Sequence, residues 1–288
     1  MRGNVFKTAF LLTALTLLLI YFGRLIGGEG GAAAAFLLAL LLNFGAYWFS
    51  DQLVLQFYRA ESLSETHAPE LYGILKKLCE AAKLPMPRLY RMPGAAANAF
   101  ATGRDPAHAV VAVTDGLLEL LGPEEAEGVL GHELAHVANR DTLIATVAAS
   151  LAGAISMLAS LARYALFWGS FKSRDDDRNA HPLGGLIAAL LLPLAALLIQ
   201  LAVSRGREYA ADEQGSAWCG NPLYLASALK KLDAAGRRMP AHAVSEATAH
   251  LFIVNPLKEG FLTGLFSTHP PVEERIARLN EMARRQGI

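Results

Sequence analysis

Cysteine is nearly absent: Cys79 and Cys219 are the two in 288 residues. Two distant thiols build neither a disulfide framework nor a C-x-x-C zinc ribbon. They read as small buried hydrophobes, and the bulk of the protein is expected to face a reducing compartment. Charge is also sparse, at 18% of residues, and 26 Lys+Arg balance 26 Asp+Glu. That balance lacks the basic surface that binding to nucleic acid requires, so no nucleic-acid partner is expected. No Gly-Lys-Ser/Thr follows the glycine-rich stretches, which excludes a phosphate loop of that type. No repeat of solenoid period is visible.

What the chain has in abundance is apolar residues, 53% of the total, with a mean hydropathy of +0.31. This is too apolar for an ordinary soluble domain. Four uncharged runs stand out, at residues 9–22 (extending past Arg24 to Ile26), 32–49, 143–162 and 183–203. Each is near the ~20 residues that cross hydrocarbon as a helix. The second ends in Tyr47-Trp48-Phe49, an aromatic group suited to the membrane interface. Gly27-Gly28-Glu29-Gly30-Gly31 separates the first two runs, which favours a helical hairpin over a cleaved signal peptide.

Four crossings return both termini to one side, together with the segments between and after the hairpins. That side carries Arg2, Lys7, Arg59, Arg140, Arg205 and Arg207 near the ends of the runs. The other carries Arg24, Lys172, Arg174 and Arg178. The larger basic set faces the cytoplasm by the positive-inside rule. The expected organisation is a transmembrane hairpin over 1–50, a first polar part over 51–142, a second hairpin over 143–203 and a helical C-terminal part over 204–288.

The polar parts read as α+β and predominantly helical. Residues 64–83 have helical spacing. Residues 88–91, 98–102 and, most strongly, the valine-rich 109–114 read as strands. Thr114 or Asp115 can cap a short helix, and Pro123 suits the first position of the next, with Glu124 and Glu125 in its first turn.

That helix carries His132-Glu133-Leu134-Ala135-His136. Histidines at i and i+4 share a helical face and can reach one metal ion, while a glutamate beside the first can take a proton from a water activated by that metal. A catalytic zinc usually has three protein ligands. Glu208 follows the fourth apolar run, and two crossings bring it back to the face of the membrane that holds His136, which supports it as the third. Asp212 lies one helical turn beyond Glu208 and can accept the N–H of a ligand histidine.

These pieces together resemble the membrane zinc metalloproteases of the HtpX type, relatives of the CaaX prenyl endopeptidases. The matching residues are Gly131-His132-Glu133-Leu134-Ala135-His136 with Asn139-Arg140-Asp141, then Arg207-Glu208-Tyr209-Ala210-Ala211-Asp212, then Ser267-Thr268-His269-Pro270-Pro271 with Glu274-Arg275-Ile276. Asn98-Ala99-Phe100-Ala101-Thr102-Gly103 also resembles the segment upstream of the zinc helix. The resemblance implies a zincin-like domain joined to four transmembrane helices, and one Zn2+ per chain held by His132, His136 and Glu208. It implies Glu133 as general base and acid, with Asp212 orienting a ligand. It places Asn98, Ala99 and Phe100 along the substrate and His269 near the reacting carbonyl as an oxyanion donor.

It further implies an integral membrane protein of the bacterial inner membrane with a cytoplasmic active site. The expected substrates are misfolded or damaged membrane proteins or unfolded polypeptides, cut in protein quality control and in partnership with an energy-dependent membrane protease. Two other readings compete. An intramembrane metalloprotease would hold its ligands within apolar segments, whereas Glu124, Glu125, Glu127, Arg140 and Asp141 flank these. A non-catalytic metal-binding adaptor would have no use for Glu133.

Overall fold

The structure is a computed structural model, and it describes residues 2–145, 205–238, 253 and 270–288. The elements named below are those of the described residues. The third and fourth apolar runs lie outside them, apart from residues 143–145, as does His269.

Helix α1 (Arg2–Phe57) is bent back on itself at Gly27 and Gly28, where Gly28 takes φ 60° and ψ −144°. That backbone conformation is open to glycine and strained for other residues. A Cβ on Gly23 would lie 2.4 Å from the Gly31 carbonyl oxygen, so the two arms touch through their backbones beside the bend. Further along, Asn43 Nδ2 donates to Thr16 Oγ1 at 2.9 Å, joining the arms across 27 residues of sequence. Residues Gly27–Phe49 form a 23-residue helix long and apolar enough to cross a membrane by length and composition.

Beyond α1 lies a four-stranded sheet of β1 (Glu61–Ser62), β2 (Arg88–Met92), β3 (Ala99–Thr102) and β4 (Val110–Thr114). Its order is β1-β2-β4-β3, with β2 and β4 parallel and the other two pairs antiparallel. Strand β1 is too short for a sequence pattern to reveal. The helical layer comprises α2 (Pro69–Ala82), α3 (Asp115–Leu120), α4 (Pro123–Ala138), α5 (Arg205–Cys219), α6 (Pro222–Gly236) and α7 (Val272–Gln286). The periodicity suggests a helix from residue 64, but α2 begins at Pro69. Proline lacks the N–H an earlier start would need, and residues 64–68 instead form a turn closed by amides of His67 and Ala68 on the Ser64 carbonyl.

Alternation along the strands gives the sheet two buried faces. Ala99, Ala101, Val111 and Val113 join the main core with Leu75, Val129, Leu130, Leu134 and Leu229 of the helices. Phe100, Val110, Ala112 and Met92 point the other way, against Val54 and Leu55 at the end of α1. The sheet is thus clamped between the helical layer and the stem of the apolar hairpin. This explains why β4 is buried on both sides and reads as a continuous valine run.

Glu125 fastens α4 to α6. Its carboxylate accepts from Ser227 Oγ at 2.7 Å, Lys231 Nζ at 2.6 Å and the Gly122 amide at 2.9 Å. Burial pushes its pKa up, but the Lys231, Ser227 and Gly122 hydrogen bonds outweigh it and hold the carboxyl below its ordinary value. A carboxyl whose pKa is lowered on folding stabilises above its unfolded pKa and loses that contribution as pH falls through the folded one. Glu125→Gln should therefore cost about 1 kcal/mol at neutral pH. The deficit should vanish below the carboxylate range in paired denaturant melts, and a deficit independent of pH would contradict this account.

Candidate metal centre

Helix α4 presents His132 and His136 one turn apart, and α5 presents Glu208 in its first turn. Two glycines let these helices approach. A Cβ on Gly215 would lie 2.6 Å from both the Gly131 carbonyl carbon and the His132 amide nitrogen, so α5 crosses α4 at backbone contact beside the first histidine. Any larger residue there would push Glu208 away from the histidines.

His132 Nε2 and His136 Nε2 are 3.2 Å apart. Glu208 brings one carboxylate oxygen 3.7 Å from His132 Nε2 and the other 3.6 Å from His136 Nε2. Tetrahedral ligands at Zn–N and Zn–O distances of about 2.0–2.1 Å are separated by roughly 3.4 Å, so the three donors fit a zinc-sized ion. These residues form a possible metal-holding cluster among the described residues, their donor atoms within 4.8 Å of one another. Each imidazole is fixed through its other nitrogen. His132 Nδ1 lies 2.9 Å from Asp212 Oδ1, and His136 Nδ1 lies 3.1 Å from Asp141 Oδ2. With each Nδ1 facing a carboxylate, both Nε2 atoms converge on the same point, the arrangement that metal ligation requires.

Asp212 is held in turn by Arg275. The guanidinium donates to both carboxylate oxygens, Nε to Oδ2 at 2.8 Å and Nη2 to Oδ1 at 2.7 Å. Its Nη1 donates to the Ile253 carbonyl at 3.0 Å. Arg275 has 0% of its surface exposed. Burial pushes the Asp212 pKa up, but Arg275 overrides it and keeps the carboxyl below its usual range.

Glu133 points to the same space and accepts a hydrogen bond from the Ala101 amide at 2.7 Å. Burial raises its pKa; the two histidines and that amide pull it back without cancelling the rise. For His136, burial pushes the pKa down, but Glu208 and the Asp141 hydrogen bond more than compensate and bring it to about 9.

The Ala101 amide also reveals the polarity of β3. Thr114 donates from its amide to the Asn98 carbonyl at 2.9 Å, so Asn98 faces β4, whereas Ala101 N faces Glu133 and away from β4. By alternation Ala99 shares the outward direction of Ala101. Phe100 packs its ring 5.6 Å from Tyr58 on the α1 side. The Asn98 side chain is buried, and its Oδ1 accepts from the Ile253 amide at 3.2 Å. Ile253 is therefore pinned by both backbone groups, to Asn98 on one side and Arg275 on the other.

The structure thus brings His132, Glu133, His136, Glu208 and Asp212 together and sets β3 beside them. Two residues of this centre, Asp141 and Arg275, stand in the matching motifs of the sequence but received no role there. Asp141 follows Arg140, whose φ of 57° ends the α4 path and turns the chain back toward His136; no periodic pattern announces such a reversal. Arg275 did leave a signal. It sits at i with Leu279 at i+4 and Ala283 at i+8, the buried stripe of α7, and an arginine in an apolar stripe needs a partner charge.

A layer of helices over a small sheet, with a glutamate between two histidines that could hold a metal and a glutamate from a second helix beside them, is the arrangement of a metallopeptidase, here joined to an apolar hairpin. The model of peptidase family M48 matches residues 65–283, and the chain belongs to that family. It is 52% identical over 279 residues to a protease HtpX homolog of Syntrophotalea carbinolica, covering 97% of this chain and 99% of that one. It is 54% identical over 281 residues to that of Syntrophobacter fumaroxidans, covering 97% and 100%, and 52% identical over 283 residues to that of Pyrococcus furiosus, covering 98% and 97%. Among solved structures, the crystal structure of S. mikatae Ste24p shares the fold with a TM-score of 0.51 at 17% identity, over 96% of this chain and 66% of that one. The protein is a membrane metalloprotease.

Proposed function

We propose that the protein is a zinc-dependent endopeptidase that cuts misfolded or damaged membrane proteins at the cytoplasmic face of the bacterial inner membrane. The observation that carries the zinc reading is the convergence of His132 Nε2, His136 Nε2 and Glu208 on one point, with Glu133 beside it. When bound, zinc supplies Lewis acidity that lowers the pKa of water toward ~7 and polarises a carbonyl. Glu133 takes the proton of the attacking water and delivers it to the leaving amine.

A substrate lies extended along β3, hydrogen-bonded to the outward backbone groups of Ala99 and to the Ala101 carbonyl, while Asn98 and Phe100 fix the strand. Backbone pairing of this kind tolerates many sequences, as a quality-control enzyme requires. His269, following the resemblance of its His-Pro-Pro segment, donates to the oxyanion. An energy-dependent membrane protease acting alongside would consume the fragments. Four membrane crossings, with both termini cytoplasmic, complete the arrangement.

The test is a proteolysis assay on the purified full-length protein with metal analysis, comparing the wild type with Glu208→Ala. The wild type should hold one zinc per chain and cut an unfolded polypeptide. The variant, left with two ligands, should lose zinc on dialysis and its activity with it. Full zinc retention by the variant would place the third ligand elsewhere.

A further inference from the structure

We propose that the protein measures its cleavage site from the membrane surface, cutting polypeptides within about ten residues of the point where they leave the bilayer. This rests on the endopeptidase reading above and narrows its substrate to juxtamembrane segments.

Two contacts carry it, and both meet the same end of β3. Trp48 is the penultimate residue of the apolar helix Gly27–Phe49, the position where tryptophan marks the interface between hydrocarbon and water. The Arg104 guanidinium lies over its ring, 4.8 Å from the centre. An arginine in that position keeps its charge at headgroup level while its guanidinium covers the aromatic face. On the other flank, Thr142 Oγ1 donates to the Gly103 carbonyl at 3.0 Å. Thr142 immediately precedes Leu143, where the third apolar run of the sequence begins. Two segments that adjoin apolar runs thus converge on Gly103 and Arg104, the residues that follow β3.

The sheet is rigidly seated at this height. Arg88 Nη2 pairs with Asp51 Oδ2 at 3.0 Å, two residues beyond the apolar helix, and Val54 and Leu55 pack under Phe100 and Val110. Strand β3 therefore ends at the interface, with Asn98 at the end farther from it.

The distance to the chemistry follows. Glu133 meets β3 at the Ala101 amide. From Ala101 to Arg104 the chain covers at most about 10 Å, and the arginine side chain with its contact to Trp48 adds about as much again, so the reacting bond lies within roughly 20 Å of the aromatic belt. An extended substrate spans that gap with about six residues. A strand lying along β3 has one end at the membrane surface, so a tethered chain enters the cleft as it leaves the lipid, whereas a site far along a polar tail must loop back.

The test uses the full-length protein in liposomes with a reporter made of one apolar span and a long unstructured tail of identical repeated units, so that every position offers the same chemistry. A second reporter is the same tail without the span. Cut positions are mapped by mass spectrometry. The tethered tail should be cut within about ten residues of the span, and the free tail throughout its length. Cuts spread evenly along the tethered tail, or centred more than about ten residues out, would overturn the ruler while leaving the peptidase intact. Failure to cut either tail would overturn the endopeptidase reading itself, and the ruler with it.

Discussion

Glu133→Gln should abolish proteolysis while leaving one zinc per chain in place. Glutamine keeps the shape of the side chain and can still accept from the Ala101 amide through its carbonyl oxygen, so the contact at 2.7 Å that ties α4 to β3 survives. The three converging donors belong to His132, His136 and Glu208, and none is altered. What disappears is a group able to take a proton. General acid–base groups contribute about 10²–10⁴ in rate, and the expected fall in kcat/KM is of that order. The measurement is cleavage of an unfolded polypeptide in parallel with metal content and thermal unfolding. Wild-type-like cleavage would remove Glu133 from the mechanism. Loss of zinc along with activity would make its role structural.

The second large effect should come from a residue with no direct part in the metal cluster. Arg275→Met should destabilise the fold by about 3–5 kcal/mol, because removing one member of a buried ion pair strands the other in a low-dielectric interior. Methionine retains much of the stem's volume, so the loss is electrostatic rather than a cavity. Asp212, only 3% exposed, would keep a single polar partner of the pair, His132. Zinc affinity should also fall, by about 10–100-fold, since the carboxylate that orients His132 is itself no longer oriented. Arg275→Lys should recover only part of either property. A lysine restores the charge but not the planar fork that serves both Asp212 oxygens while its other nitrogen holds the Ile253 carbonyl. Denaturant melts and competitive zinc titration of the three proteins decide it. A methionine variant with wild-type stability and affinity would show that Asp212 needs no counter-charge.

The pair also explains how distant segments come to depend on one another. His132 rests on Asp212, Asp212 on Arg275, Arg275 on Ile253, and Ile253 on Asn98 beside the substrate strand. The links are hydrogen bonds of 2.7–3.2 Å between buried groups. In such surroundings each unsatisfied group costs far more than at a surface. Asn98 therefore has a structural task in addition to its place on the strand: its side chain holds Ile253 while its backbone faces β4.

Much of this was legible in the sequence because it is local. The i, i+4 spacing of His132 and His136, the proline and acidic start of α4, the Thr114 cap on α3 and the valine run of β4 each follow from one stretch of chain. Thr114 does accept from the Leu117 amide at 3.2 Å. The pairing of His136 with Glu208 was within reach as well, through the even number of apolar runs between them. Asp141 was not, since its approach depends on a left-handed turn at Arg140. Arg275 was masked by its neighbours: Arg278, Arg284 and Arg285 on the same helix are exposed, and composition does not separate the one buried arginine from them.

The sequence by itself determined the chemical parts: the histidines at metal-binding spacing, the glutamate between them, the apolar runs and the secondary structure of the polar parts. These depend on helical and strand periods and on residue chemistry, which act over a few neighbours. Only the tertiary structure decided which carboxylate steadies which histidine, that Arg275 stands behind Asp212, and that β3 ends beside Trp48 and Thr142. Those relations join residues as far apart as His132 and Arg275. They arise where helices pack at backbone contact, as Gly131 and Gly215 allow, and no local period encodes them.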